Sequence, residues 1–301
     1  MKAIVIANPR AGRGRIEKDL MPALGVLQAC GWDVGLVLTS APGDATRLAR
    51  EAAEEGLDAV LAAGGDGTVN EIVQGLAGSD TSLGYLPYGT VNVWARELGL
   101  PTHPVTAAHA IVEGRMERVD LGLANGRHFL LMAGIGFDGE VVRRSRGIEH
   151  HKHRFGVLPY VAAGLSAVPG FRGADMELRY DGVIRRVQAL LLIVGNTRLY
   201  GGRFRLTPNA VANDGWLDLC IVRGRGPLAV IRQSLPLILS GTISHSDVEL
   251  LRVKTLSVRT EPPLSLQVDG ELAGRTPVQF DIAPRALRAI IPKEFDSSLI
   301  A

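Results

Sequence analysis

Two cysteines in 301 residues, Cys30 and Cys220, leave no material for a disulfide framework. They lie far apart in apolar surroundings, so reduced cytosolic thiols are the expected state. Long apolar runs are missing as well: none approaches the roughly 20 residues of a membrane span. The apolar N-terminus is stopped at once by Asn8-Pro9 and reads as a short strand rather than a signal peptide. Charge of one sign is lacking too, since a formal net charge of +2 is too small to argue for a nucleic-acid partner. There is no internal repeat and no low-complexity linker. What remains is 46% hydrophobic and 21% charged residues, the balance of a well-cored globular protein. The length allows one large or two ordinary domains. A soluble, cytoplasmic protein is expected.

The first third alternates strand and helix. Strands are expected at Ala3–Ala7, Asp33–Leu38, Ala59–Ala62 and Ser82–Leu86, with helices near 16–29, 44–55, 68–77, 91–98 and 104–113. That alternation predicts a parallel sheet covered by helices, with ligands at the carboxyl ends of the strands. After about residue 115 the pattern turns to strands joined by Asn-Gly and Asp-Gly turns, at 127–133, 174–180, 183–194, 216–222, 248–253, 255–260, 264–268 and 276–281. Two helices interrupt them, near 154–168 and 227–240. The expected architecture is an α/β domain over 1–117 and a β-sandwich domain over 118–289, with residues from about 290 returning to the first domain. The cleft between the two is the default site.

The chemistry concentrates at strand ends. Residues 62–76 read AAGGDGTVNEIVQGL behind the apolar run that closes the third strand. Glycine lets backbone approach a bulky anion, and a helix N-terminus offers it unpaired N–H groups. Asp66 stands inside that cradle, where a bare carboxylate repels phosphate unless a metal, a water or a hydroxyl lies between. The combination points to nucleotide chemistry with Mg²⁺. Asn8–Gly12, Thr39 and Pro87–Asn92 fall at the other strand ends, where Thr90 can cap a helix or donate to a phosphate oxygen. Gly134–Gly139 formally matches a dinucleotide fingerprint but lies in strand-rich sequence, so it reads as a loop facing the cleft. Asp214 and Asp269, each before a glycine, read by themselves as turn formers.

Taken together and in order, NPRAGRG, GGDGTVNE, PYGTVNVWAR, GFDGEVV, NTRLYGGRFRLTP, ANDGWLDL and VDGE resemble the diacylglycerol kinase catalytic-domain family, closest to its soluble bacterial branch. The resemblance spans roughly residues 3–292 and implies an NAD-kinase-like nucleotide domain followed by a β-sandwich. It implies an ATP- and Mg²⁺-dependent kinase acting on a lipid hydroxyl. Gly64, Gly65, Asp66, Gly67, Thr68, Val69, Asn70 and Glu71 then correspond to the nucleotide loop, with Asn8, Thr39 and Thr90 as further nucleotide contacts. Glu271 falls where the family places its general base, and Asp269 lies beside it. A structural or regulatory Mg²⁺ is implied at the Asp214 side chain and the carbonyls of Val211 and Trp216. A second, catalytic Mg²⁺ travels with the phosphates near Asp66.

One position departs from the resemblance: diacylglycerol-specific relatives carry Asn-Asp where this chain has Asn92-Val93. An acidic member of the site is missing, and the identity of the lipid stays open. The run Arg143–Arg154 holds five Lys/Arg against one Glu. It is a candidate for docking on an anionic leaflet, with Lys152 matching a lysine of some relatives. His150, His151 and His153 within it read as a solvated face more readily than as a metal site. The partners expected are a lipid substrate, the surface of an anionic membrane and, as a further candidate, a second copy of the chain in a homodimer. Two other readings remain, an NAD-kinase-like small-molecule kinase and a catalytically silent lipid- or nucleotide-binding module.

Overall fold

The computed structural model describes every residue except 13–15, 146–157, 241–244, 295, 296 and 301. In chain order the first elements are β1 (Lys2–Ala7), α1 (Ile16–Ala29), β2 (Asp33–Leu38), α2 (Asp44–Glu54), β3 (Ala59–Gly64), α3 (Asp66–Leu76), β4 (Ser82–Pro87), α4 (Val93–Glu97), α5 (Pro104–Val112) and β5 (Arg115–Ala124). There follow β6 (Arg127–Phe129), β7 (Met132–Gly136), α6 (Phe137–Ser145), α7 (Leu158–Ala167), β8 (Ala174–Tyr180), β9 (Val183–Gly195), β10 (Leu199–Tyr200) and β11 (Phe204–Arg205). The chain ends with β12 (Leu217–Arg223), α8 (Gly226–Ser240), β13 (Val248–Val253), β14 (Thr255–Glu261), β15 (Ser265–Val268), β16 (Glu271–Arg275) and β17 (Val278–Ile291).

Contacts divide the chain into two units: residues 1–121 with 212–214 and 284–301, and residues 122–211 with 215–283. In the first unit β1 pairs in parallel with β2 and β3, β3 with β4, and β4 with the end of β17. Every residue of β3 and β4 is buried, as expected of central parallel strands covered on both faces. Leu20, Leu24 and Leu27 of α1 and Ala107, Ala108 and Ile111 of α5 cover one face, against Val5, Leu61 and Leu86. The α2 helix buries Ala45, Ala49 and Ala52, one stripe at helical spacing, and packs with α3.

The second unit is the β-sandwich. Its strands run β16-β15-β7-β9-β8-β14-β17, and β12 with β13 branches from β9. Phe129 and Phe280 meet edge to face, 6.4 Å between ring centres, inside a core that includes Met176, Leu192 and Val258.

Several expectations change. The strand placed at 127–133 is two strands, because the N–H groups of Leu130, Leu131 and Met132 all point to the Asp269 carboxylate instead of a ladder partner. Gly134–Gly139 is no loop: it is the end of β7 and the first turn of α6. The strand placed at 276–281 runs on to Ile291, and β5 and β16 were not foreseen, since charges crowd the start of one and Gly274 interrupts the other.

Candidate functional site

In the first unit the glycine loop behind β3 lies against the loop behind β4. A Cβ added to Gly89 would come within 2.4 Å of the Gly65 Cα, so only glycine permits this approach. The Tyr88 N–H donates to the Gly64 carbonyl at 2.8 Å. Asn92 sits at φ 55° in the left-handed region that asparagine tolerates. Its Oδ1 accepts from the Tyr85 hydroxyl and the Gly89 N–H, each at 2.9 Å, while its Nδ2 donates to the Gly89 carbonyl. Asp66 completes the knot: Oδ1 accepts the Val93 N–H at 2.6 Å and Oδ2 the Asn92 N–H at 3.1 Å. Burial holds its carboxyl above the usual range, with those N–H bonds opposing the shift. Sequence alone gave Asp66 the task of orienting metal and water. In the structure both oxygens meet backbone N–H groups and tie the two loops together.

The rest of the nucleotide set gathers at neighbouring strand ends. Asn8 follows β1 and donates its N–H to the Ala63 carbonyl at 3.0 Å, while the Thr39 N–H reaches the Ala7 carbonyl at 2.9 Å. Glu71 is turned toward α2, where Oε2 accepts the N–H groups of Gly43 and Ala45. Asn70 and Thr68 are buried, and the Asn70 Nδ2 has no acceptor among the described residues. Thr90 is exposed beside an open cavity of about 780 Å³ that Gly12, Tyr88, Asn92, Arg96 and Thr102 also line. Arg96, which the sequence reading passed over, donates from Nε to the Val91 carbonyl at 2.6 Å. Its position at the end of the PYGTVNVWAR motif was the available signal. Glycine backbone, a helix N-terminus, a buried amide without an acceptor and a nearby guanidinium suit a polyphosphate.

In the second unit β15 and β16 are joined by Asp269 and Gly270, at φ 47° and 81°, the pairing of a type I′ hairpin. The Asp269 carboxylate accepts N–H groups from Leu130, Leu131 and Met132 at 2.9, 3.0 and 2.9 Å. It holds the chain between β6 and β7 in place. Glu271, two residues on, is exposed and pairs with Arg127 of β6. An exposed ion pair of this kind holds weakly, about 0–1 kcal/mol, so its carboxylate is the accessible one of the two.

The turn at Asp214 is set by Ala212, whose N–H donates to the Leu299 carbonyl at 2.7 Å and whose carbonyl accepts the Asp120 N–H at 2.6 Å. Gly215 follows at φ 74°. With the Asp214 carboxylate and the carbonyls of Val211 and Trp216 this stretch offers oxygen donors only, the chemistry of a hard cation such as Mg²⁺.

A buried acid missed by the sequence reading is Asp138, in the first turn of α6. It accepts a hydrogen bond from the Tyr200 hydroxyl, and burial pushes its carboxyl up to about 6 while the bonds from Tyr200 and Gln267 oppose the shift. Between the ordinary value and about 6 the folded chain keeps a proton that the unfolded chain has released. Stability from this group is therefore complete at low pH and is lost as pH rises through about 6. The loss is roughly 3 kcal/mol. In urea denaturation the wild type should lose about that much more than Asp138→Asn between pH 4 and pH 7.5. Equal losses would free Asp138 of this role.

Arg143 and Arg144, at the start of the basic run, both pair with Glu140. The remainder of the run, with Lys152 and the three histidines, lies outside the described residues. Among the described residues no helix is long and apolar enough to cross a membrane.

Comparison with known proteins agrees with the geometry. Residues 2–124 match the diacylglycerol kinase catalytic domain and residues 132–291 the YegS C-terminal NAD kinase beta sandwich-like domain. The chain is 32% identical over 297 residues to the diacylglycerol kinase of Bacillus subtilis (strain 168), covering 97% of each protein. It is 32% identical over 302 residues to the diacylglycerol kinase of Staphylococcus saprophyticus, covering 99% of this chain and 98% of the relative. A crystal structure of a diacylglycerol kinase from Bacillus anthracis str. Sterne superposes with a TM-score of 0.77 at 27% identity, over 98% of both chains. With both halves matched in order and full-length relatives at this identity, the chain belongs to the diacylglycerol kinase family and is a lipid kinase.

Proposed function

We propose that the protein transfers the γ-phosphoryl group of ATP, with Mg²⁺, to the hydroxyl of a lipid alcohol, diacylglycerol or a relative of it. The observation that carries this reading is the pair of glycine loops knotted by Asp66 and Asn92, with Arg96 beside them. Phosphoryl transfer is mostly positioning and charge neutralisation, and backbone N–H groups at the start of α3 serve both ends. Asn8, Thr39, Thr90 and the loop Gly64–Glu71 bind and orient the nucleotide. Arg96 offsets charge on the phosphates. Glu271 takes the proton of the lipid hydroxyl, and Asp269 fixes the turn that carries Glu271. Bound Mg²⁺ supplies neutralisation of phosphate charge and, at Asp214, Val211 and Trp216, stiffening of a turn. Because the acceptor is a lipid, the protein works in peripheral contact with a membrane.

Incubation with γ-labelled ATP and a total lipid extract of the source organism, followed by identification of the labelled product, tests the reading. A labelled phospholipid supports it, whereas label found only in a water-soluble product such as NADP would overturn it. The metal assignment has its own readout. Mg²⁺ should raise the melting temperature of the wild type over that in EDTA, and Asp214→Ala should lose that gain with little change in EDTA. An equal gain in both proteins places the ion elsewhere.

A further inference from the structure

The described residues include a small set of large apolar side chains that face solvent, and the two most exposed are Leu228 at 83% and Leu165 at 69%. Single exposed leucines are ordinary. Leu228 is not isolated, because it opens α8 and Ile231 follows one turn later at 49% exposure; Leu165 lies on α7, three residues before Val168, which packs with Val230 and Ala229 of α8. Helix α8 carries one charged residue, Arg232, in fifteen, and α7 carries none in ten. Helices so apolar are normally enclosed on all sides. Among the described residues of α8, Val230 and Ala229 are enclosed on the opposite face: they pack on Phe171, Leu190 and Val168, and Val168 begins the short 3-10 turn that continues α7.

Two arginines stand at the base of this apolar tip. The Gly226 N–H donates to the Arg172 carbonyl at 3.2 Å, which brings Arg172 next to Arg225. Both side chains are exposed, and neither has an acidic partner among the described residues. Nearby arginines are neutralised, Arg223 by Glu249, Arg232 by Asp247 and Arg144 by Glu140. An apolar tip with uncommitted cations at its base is the pattern of an interfacial helix on an anionic leaflet. A second copy of the chain fits it less well, because a twofold contact sets the same cations against each other.

We propose that the first turns of α8, with Leu165 of α7 and the Arg172–Arg225 pair, form the surface that docks the protein on an anionic lipid leaflet. Leu228, Ile231 and Leu165 enter the boundary between headgroups and acyl chains, and the two guanidinium groups meet headgroup phosphates. None of the residues named belongs to the basic run Arg143–Arg154. Its purpose rests on the lipid-kinase reading, but the docking can be measured without it.

The test is sedimentation with phosphatidylglycerol–phosphatidylcholine vesicles and with phosphatidylcholine vesicles, alongside kinase activity on a water-soluble short-chain diacylglycerol. The double variant Leu228→Asp with Ile231→Asp should lose at least tenfold in binding to both vesicle types and keep its short-chain activity. The double variant Arg172→Gln with Arg225→Gln should lose roughly 30-fold on the anionic vesicles alone, at about one charge's worth of attraction per arginine. Circular dichroism checks that both variants are folded. Wild-type binding in either variant, or no vesicle binding by the wild type, overturns the proposal. So does a variant that turns a dimer into a monomer on size exclusion while binding vesicles normally. Weakened vesicle binding in a protein that phosphorylates no lipid keeps the docking surface and removes the kinase reading.

Discussion

Glu271→Gln lowers kcat by about 10² to 10⁴ and leaves KM for ATP nearly unchanged, the size of effect expected when a general base is removed. Glutamine keeps the shape of the side chain and can still accept from Arg127, but it cannot take a proton. The residue is exposed, so stability should change by less than about 0.5 kcal/mol. A large loss of rate without loss of stability is the signature to look for in steady-state kinetics and urea denaturation. A loss of ATP affinity instead would make Glu271 a ligand of nucleotide or metal. Asp269 is a poor substitute base, because its oxygens are held by three backbone N–H groups. Replacing it should show first as instability of the β6–β7 turn.

Asp66→Asn carries the second large effect, and it reaches both stability and rate. The amide can offer one oxygen to the N–H groups of Asn92 and Val93, and its NH₂ then faces the other donor. A buried donor left without an acceptor costs about 1–3 kcal/mol. The same change loosens the loop that bears Thr90 and Asn92, and a misplacement of about 1 Å in a positioning element costs roughly 10² in rate. Urea denaturation and kcat measured on the same preparation should therefore fall together. Unchanged stability with lost activity would return Asp66 to the metal and water of the sequence reading, and normal activity would remove it from the site altogether.

The difference between these two acids shows what sequence could and could not tell. The strands and helices of the first unit follow from periodicity, because β3 is a continuous apolar run, β4 is short and mostly apolar, and α2 repeats alanine at helical spacing. Strand ends mark the loops, so Gly64–Glu71, Asn8 and Thr39 were visible as a set. Where each carboxylate points was not visible. Asp66, Glu71 and Asp269 all turn to backbone N–H groups, each more than 20 residues away in the chain. Long-range hydrogen bonds of this kind leave no periodic trace. Asp138 was hidden for a related reason: it belongs to a helix whose opening glycines resemble a loop.

Strand β17 has a consequence for how the molecule is made. Its first residues pair with β14 in the second unit, and its last pair in parallel with β4 in the first. The α/β sheet is thus finished by residues that leave the ribosome after residues 88–283 have been synthesised. At about 5–20 residues per second that interval is roughly 10–40 s. Throughout it the nascent chain carries β4, a strand buried at every position in the finished fold, with one edge unpaired. The part of the protein translated first is the part that closes last.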